Sequence, residues 1–87
     1  MELFHEIKKS FPKMERIFNQ KTLLELRHTP ECGLAKYNIG LGTIIRLTLL
    51  NPKNKLYKNF SSVEISDKYK MSMKIICEFH KYLNDKN

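Results

Sequence analysis

LAKYNIGLGTIIRLTLLN, from Leu34 to Asn51, is the longest apolar run in the chain, and its reading decides the fold. It holds two of the three glycines, and its only charges are Lys36 and Arg46. As a helix it puts Leu34, Tyr37, Leu41, Ile44, Ile45 and Leu49 on one broad face. As a strand it alternates Thr43, Ile45, Leu47 and Leu49 with Ile44, Arg46, Thr48 and Leu50. The β-branched residues suit the strand, and Gly40 and Gly42 each cost a helix about 1 kcal/mol. Against this, a helix over 34–50 spans about 25 Å, enough to cross a small domain. No second segment alternates well enough to pair with a strand here. The reading is therefore helical, with Gly40 and Gly42 marking where another backbone approaches closely.

Upstream, ELFHEIKK (residues 2–9) sets Leu3, Phe4 and Ile7 on one face of a short helix, its charges matching the helix dipole. Ser10 is placed to cap a second helix whose first turn holds Pro12, with Met14, Ile17 and Phe18 inward. Thr22 and Glu25 have the spacing of a capping box for a helix running to about Arg27. Pro30 stops it, and residues 28–33 form a turn in which Gly33 offers a positive φ. Downstream, Asn51-Pro52 closes the central element. Asn54 caps a helix over Lys55–Phe60 with Leu56, Tyr57 and Phe60 inward. Residues 61–66 form a loop anchored by Val63 and Ile65. A last helix runs from Ser66-Asp67 to about Leu83, with Ser72, Ile75, Ile76, Phe79 and Leu83 on its inner face and Asp67 at its positive end. The expected fold is a single all-α domain of five or six helices packed on a central helix near 34–50.

Eighty-seven residues suffice for one small core. The net charge is +7, with +2 in residues 1–45 and +5 in residues 46–87, and thirteen of the sixteen basic residues are lysine. Such a field favours acidic partners, and flexible lysines suit phosphate contact more than bidentate base reading. It also simply keeps a small domain soluble. Two cysteines make no secreted disulfide framework. The start, MELFHEIKKS, lacks the pattern of a signal peptide. No uncharged run approaches the roughly 20 residues of a membrane span. The expected location is the cytoplasm.

Residues 34–84 resemble a family of short bacterial domains of unknown function. That family has a core like H-F-G-L-G-x-W-I-R-N-N, then L-Y-x-x-F, D-x-M-S and an apolar helix ending Y-L-N. The matching pieces are Ile39-Gly40-Leu41-Gly42, Ile45-Arg46, Leu56-Tyr57-Lys58-Asn59-Phe60, Met71-Ser72 and Phe79-His80-Lys81-Tyr82-Leu83-Asn84. Asn38 stands where the family has His, Ile44 where it has Trp, and Leu47-Thr48 where it has paired asparagines. The resemblance implies a shared helical fold and supplies no reaction, ligand or catalytic residue.

Arg46 reads as a structural charge, forming an ion pair with Asp67 or Glu64 or capping a carbonyl; an anion-binding role is the alternative. His28, Cys32, Cys77 and His80 form one metal-like set, H-x3-C and C-x2-H. The signal is weak, with Pro30 inside the first pair, and the reading is of no metal and no cofactor. Met71 and Met73 fill core, and His5 is an exposed helical residue. No Ser, Cys or Asp has a base and an orienting partner at readable spacing, so no enzyme is expected. The Gly40-Leu41-Gly42 run lacks the rest of a dinucleotide fingerprint.

The lysines Lys53, Lys55, Lys58, Lys68, Lys70 and Lys74, with Tyr57 and Tyr69 among them, form the functional candidate. Lysines interleaved with aromatics hold phosphates and stack bases, though a solvated helix face has the same composition. The expectation is a small non-catalytic binding protein, monomer or homodimer. Its partner is RNA, or a ribonucleoprotein or nuclease with an acidic surface, and not a membrane. One concrete form is a phage or mobile-element inhibitor of a bacterial RNA-guided (CRISPR) nuclease. The alternative is a protein-binding or structural domain with no nucleic-acid role.

Overall fold

The computed structural model describes residues 2–51, 53–62 and 67–85. In order come α1 (Glu2–Ile17), α2 (Gln20–His28), a 3-10 helix (Glu31–Asn38), α3 (Gly40–Thr48), α4 (Lys55–Ser62) and α5 (Lys68–Asp85). There is no strand among the described residues. The all-α fold of five or six helices is the one observed, in a body of 32 × 24 × 22 Å.

The chain forms one first helix, not two, and α1 runs through Pro12. Ser10 caps nothing; its hydroxyl donates to the Ile7 carbonyl at 2.6 Å. Leu3, Ile7, Phe11, Met14 and Phe18 follow one another at spacings of three and four and are all buried. Burying five such side chains, at about 1.5–3 kcal/mol each, outweighs the roughly 3 kcal/mol an internal proline costs. The second start also moves. Asn19, not Thr22, caps α2, its side-chain oxygen accepting from the Thr22 N–H at 2.8 Å.

The central stretch is helical but broken. A 3-10 helix ends at Asn38, Ile39 is a turn, and α3 begins at Gly40. The expected turn at 28–33 is thus partly helix, and Gly33 needs no positive φ. The break keeps Leu34, Leu41, Ile45 and Leu49 inward while turning Ile39 and Leu47 to solvent. Two glycines weaken the intrinsic case for one continuous helix, so packing decides its course.

The hub is α5 rather than this stretch. It packs on the 3-10 helix, α3, α1 and α2. Met71, Ser72, Ile75, Ile76, Phe79 and Leu83 form its buried stripe, which is the face the periodicity marks. Phe11, Phe79 and Tyr82 cluster with ring centroids 4.7–5.9 Å apart. The Tyr82 hydroxyl donates to Glu15 at 2.5 Å. At the C-terminal half of α5, a His80 ring nitrogen bonds the Thr29 carbonyl at 2.8 Å, and the Asn84 amide donates to the Arg27 carbonyl at 3.2 Å. These bonds fasten the end of α2.

After α3, Asn51 and Asn54 shape the turn into α4. The Asn51 side chain accepts from Lys53 N–H at 2.9 Å, and the Asn54 amide donates to the Leu49 carbonyl at 3.0 Å. Pro52, the anchors Val63 and Ile65, and Glu64 lie outside the described residues. Leu56 and Phe60 are buried and Tyr57 is half-buried.

Glu6 joins α4 to α1, with Lys9 and Lys55 both 3.5 Å from its carboxylate. Burial pushes the Glu6 pKa up, but the two ammoniums outweigh it and hold the carboxyl below its ordinary value. A depressed carboxyl contributes stability above its unfolded pKa and loses it as pH falls through the folded one. Glu6→Gln should therefore unfold in less urea than the parent near neutrality. The two midpoints should converge on acidification from about pH 5 to 3. Parallel curves across that window would contradict the assignment.

Candidate nucleic-acid interface

Arg46 draws together side chains from three separate elements. Its Nη1 donates to Asn38 Oδ1 and to Ser72 Oγ, both at 2.8 Å. Its Nη2 donates to the Asn38 carbonyl at 2.9 Å and to Thr43 Oγ1 at 3.1 Å. The guanidinium also lies over the Tyr69 ring, 4.2 Å from its centroid. One side chain thus ties the 3-10 helix, α3 and the first turns of α5. The carbonyl cap expected of Arg46 is present, at Asn38. The ion pair with Asp67 is not; Asp67 Oδ1 instead accepts from the Tyr69 N–H at 2.8 Å and caps α5. Glu64 lies outside the described residues. Among the described residues the partners of this half-buried guanidinium are neutral amide, carbonyl and hydroxyl oxygens, which its forked donors match.

The glycines divide. A Cβ on Gly42 would stand 2.9 Å from Arg46 Nη1 and 3.0 Å from Asn38 Oδ1, with the Tyr37 carbonyl at 3.4 Å. The close approach there is by the side chains of this hydrogen-bonded pair and not by the backbone expected, since the Tyr37 carbonyl stands at ordinary contact distance. At Gly40 nothing lies within 4 Å, so the close approach expected there is absent. Gly42→Ala should therefore cost about 1–3 kcal/mol by forcing Arg46 and Asn38 apart. Gly40→Ala should be neutral or stabilise by up to about 1 kcal/mol. Thermal melts of the two variants check the contrast, and equal shifts would refute it.

Tyr69 sits in the first turn of α5 and is 59 % exposed, with Arg46 against one face of its ring. Lys68 and Lys70 flank it, both exposed. The Lys68 ammonium also reaches 5.8 Å from the Tyr57 ring, which links this turn to α4 and its exposed Lys58. Lys53 is exposed in the turn before α4. The remaining two lysines are engaged inside the molecule. Lys55 meets Glu6, and Lys74 lies 3.4 Å from Glu78, which Lys81 also approaches at 3.8 Å. These lysines keep more than half of their side-chain surface exposed, so the pairs are weak. The positive end of the α5 dipole adds to the field around Tyr69. The locked platform comprises Tyr69, Arg46, Asn38, Thr43 and Ser72; sequence reasoning named the first two, but not their contact. The spacing of Asn38 and Arg46, two helical turns apart, was the available signal.

The metal-like set is dispersed among other tasks. His28 bonds the Leu24 carbonyl of its own helix, and His80 bonds Thr29. Cys32 is exposed and Cys77 half-buried, both free thiols. Burial pushes the Cys77 pKa up, aided by Glu31. Among the described residues no group of three or more His, Cys, Asp or Glu could hold an ion. A groove of about 490 Å³ between α1 and α5 is lined by Phe4, Phe11, Pro12 and Tyr82, with Lys8 and Lys81 opposite in charge to Glu78 and Asp85. No described helix is long and apolar enough to cross a membrane.

Fold and surface together define a small basic all-helical protein with an exposed tyrosine set among lysines. The chain belongs to the family described as a domain of unknown function, DUF6794, whose family model matches residues 5–83. This agrees with the expected membership of a short family of that kind. No curated protein and no solved structure matches the chain.

Proposed function

We propose that this protein is a non-catalytic module that binds single-stranded RNA, free or within a ribonucleoprotein. The observation that carries the reading is Tyr69, exposed, backed by a guanidinium held in four hydrogen bonds, and flanked by Lys68 and Lys70. A tyrosine so buttressed offers a base a flat, pre-set stacking surface, and the neighbouring ammoniums meet the adjoining phosphates. Its narrowest form is an inhibitor that occupies the guide-RNA channel of an RNA-guided nuclease, which small size and cationic surface support.

The test is fluorescence anisotropy with a labelled single-stranded oligouridine. Binding should weaken with salt, log K falling with a slope of about −2 to −3 for three to four neutralised phosphates. Tyr69→Ala should weaken binding roughly 10-fold, since stacking is worth about 1–3 kcal/mol per base. Lys68→Gln with Lys70→Gln should flatten the slope by about one unit. No binding at low salt, or an unaffected Tyr69→Ala variant with native helical content, would end the RNA reading. The alternative of a protein-binding domain draws on the apolar outer face of α3.

A further inference from the structure

The groove of about 490 Å³ between α1 and α5 falls in the size range of small-molecule sites. Its surface is built from rings. α1 supplies the exposed Phe4 and Pro12, and α5 supplies the half-buried Tyr82. Phe11 backs them, its ring 4.7 Å from that of Tyr82. The Tyr82 hydroxyl is drawn off to Glu15, which does not line the groove, so Tyr82 lends the groove its ring. Four charged side chains stand around these rings, and they are unequally committed. Glu78 is taken: Lys74 lies 3.4 Å from its carboxylate and Lys81 3.8 Å, and its side chain is only 11 % exposed. Lys81 holds the longer of those two contacts and keeps 58 % of its side-chain surface. Lys8 has no carboxylate partner among the described residues; its ammonium rests 4.5 Å from the centre of the Phe4 ring. Asp85, exposed at the last residue of α5, is the remaining acid. With Lys74 set against Glu78, the groove offers two cations, Lys8 and Lys81, to one acid.

We infer that this groove binds an amphipathic carboxylate of the fatty-acid class, an apolar body carrying one anionic head. The body lies on Phe4, Pro12 and Tyr82. The head meets Lys8 and Lys81, which reach the groove from opposite walls, α1 and α5. A cation–π contact at an exposed ring is weaker than a charge-assisted hydrogen bond. Lys8 therefore exchanges the Phe4 ring for the carboxylate and uncovers that ring for the ligand. The net charge of +7 draws an anion in from a distance, and it disfavours a cationic amphiphile at the same place. The site is separate from the tyrosine platform: Tyr82 follows Tyr69 by about 20 Å of helix. A ligand of about a dozen heavy atoms in an open groove binds with Kd on the order of 100 μM.

Titration of the full chain with decanoate tests this, read by calorimetry and by backbone amide chemical shifts. Binding should saturate with one decanoate per chain, and the shifts should cluster in residues 4–15 and 78–85. Decylammonium, with the same body and the opposite charge, should bind at least 10-fold more weakly. Lys8→Gln with Lys81→Gln should weaken decanoate about 10-fold. Phe4→Ala, at an exposed position, should weaken it about 3-fold. Leu47→Lys, on the exposed side of α3, should leave it unchanged. The inference is overturned if no saturable binding is seen below about 1 mM, or if the shifts gather on α3. It is also overturned if decylammonium binds as tightly as decanoate, which would give the choice of ligand to Asp85. Binding equal to the parent in the double lysine variant, with a native melt, overturns it as well.

Discussion

Arg46→Ala is expected to lower the unfolding free energy by about 3 kcal/mol and the Tm by on the order of 15 °C. The change removes four hydrogen bonds with a charged donor and the contact with the Tyr69 ring. Hydrogen bonds to charged groups contribute about 1.5–3 kcal/mol each, but these four share one side chain and do not add. Ser72, fully buried, keeps its own bond to the Tyr69 carbonyl at 2.9 Å and is not orphaned. Asn38 is half-buried, and water can reach it. These two facts set the loss near the middle of the range. Arg46→Lys should recover less than half of it, because an ammonium cannot reproduce the planar fork that reaches Asn38 and Ser72 together. Helical circular dichroism against temperature reads both variants. A melt of Arg46→Ala within about 2 °C of the parent would remove Arg46 from its structural role. A folded variant that no longer binds RNA would assign it to the binding surface instead.

Phe79→Ala should cost about 4 kcal/mol, in line with large-to-small changes in other cores. Phe79 has no exposed surface, stands 5.4 Å from the Phe11 ring and 5.9 Å from the Tyr82 ring, and lies on the helix that most of the others contact. The rigid neighbours cannot close the space it leaves. For a domain at the low end of the usual stability range, about 5 kcal/mol, that loss leaves roughly 1 kcal/mol and a sizeable unfolded fraction at room temperature. Phe4→Ala provides the comparison. Phe4 is 40 % exposed under Lys8, and its removal should cost under about 1 kcal/mol. Urea midpoints measure the pair, and similar losses from both would contradict the core as described.

The sequence made the helices legible wherever one apolar face ran without interruption. The stripe Ser72, Ile75, Ile76, Phe79, Leu83 is buried as its spacing requires, and Leu56 and Phe60 anchor α4 as expected. Two misplacements share one cause: Ser10-Pro12 and the 34–50 run each carry a strong local signal that long-range packing overrides. At Thr22-Glu25 a competing local cap wins, because the Asn19 side chain takes the Thr22 N–H. Pro12 is a stop in isolation, but the buried positions on either side of it, Phe11 and Met14, hold the helix together. Ile39 looks like core by composition, yet it falls where the 3-10 helix hands over to α3 and the inward direction changes. The charged residues were harder. That Arg46 would have structural partners was readable from its apolar surroundings. That those partners would be an amide and two hydroxyls was not, because Ser72 comes 26 residues later and meets Arg46 only when α5 docks. The lysine cluster was found by composition, but its division into ion-paired Lys55 and Lys74 and the more open Lys68 and Lys70 depends on where Glu6 and Glu78 fall in space.

The helix on which most of the others rest comes last among the described elements. During synthesis, α1 to α3 leave the ribosome with their greasy sides uncovered. They stay so until α5 has cleared the exit tunnel. The nascent polypeptide should thus close its core only once α5 has emerged, and a stop codon anywhere before α5 should yield a product that proteases clear rather than a smaller working version.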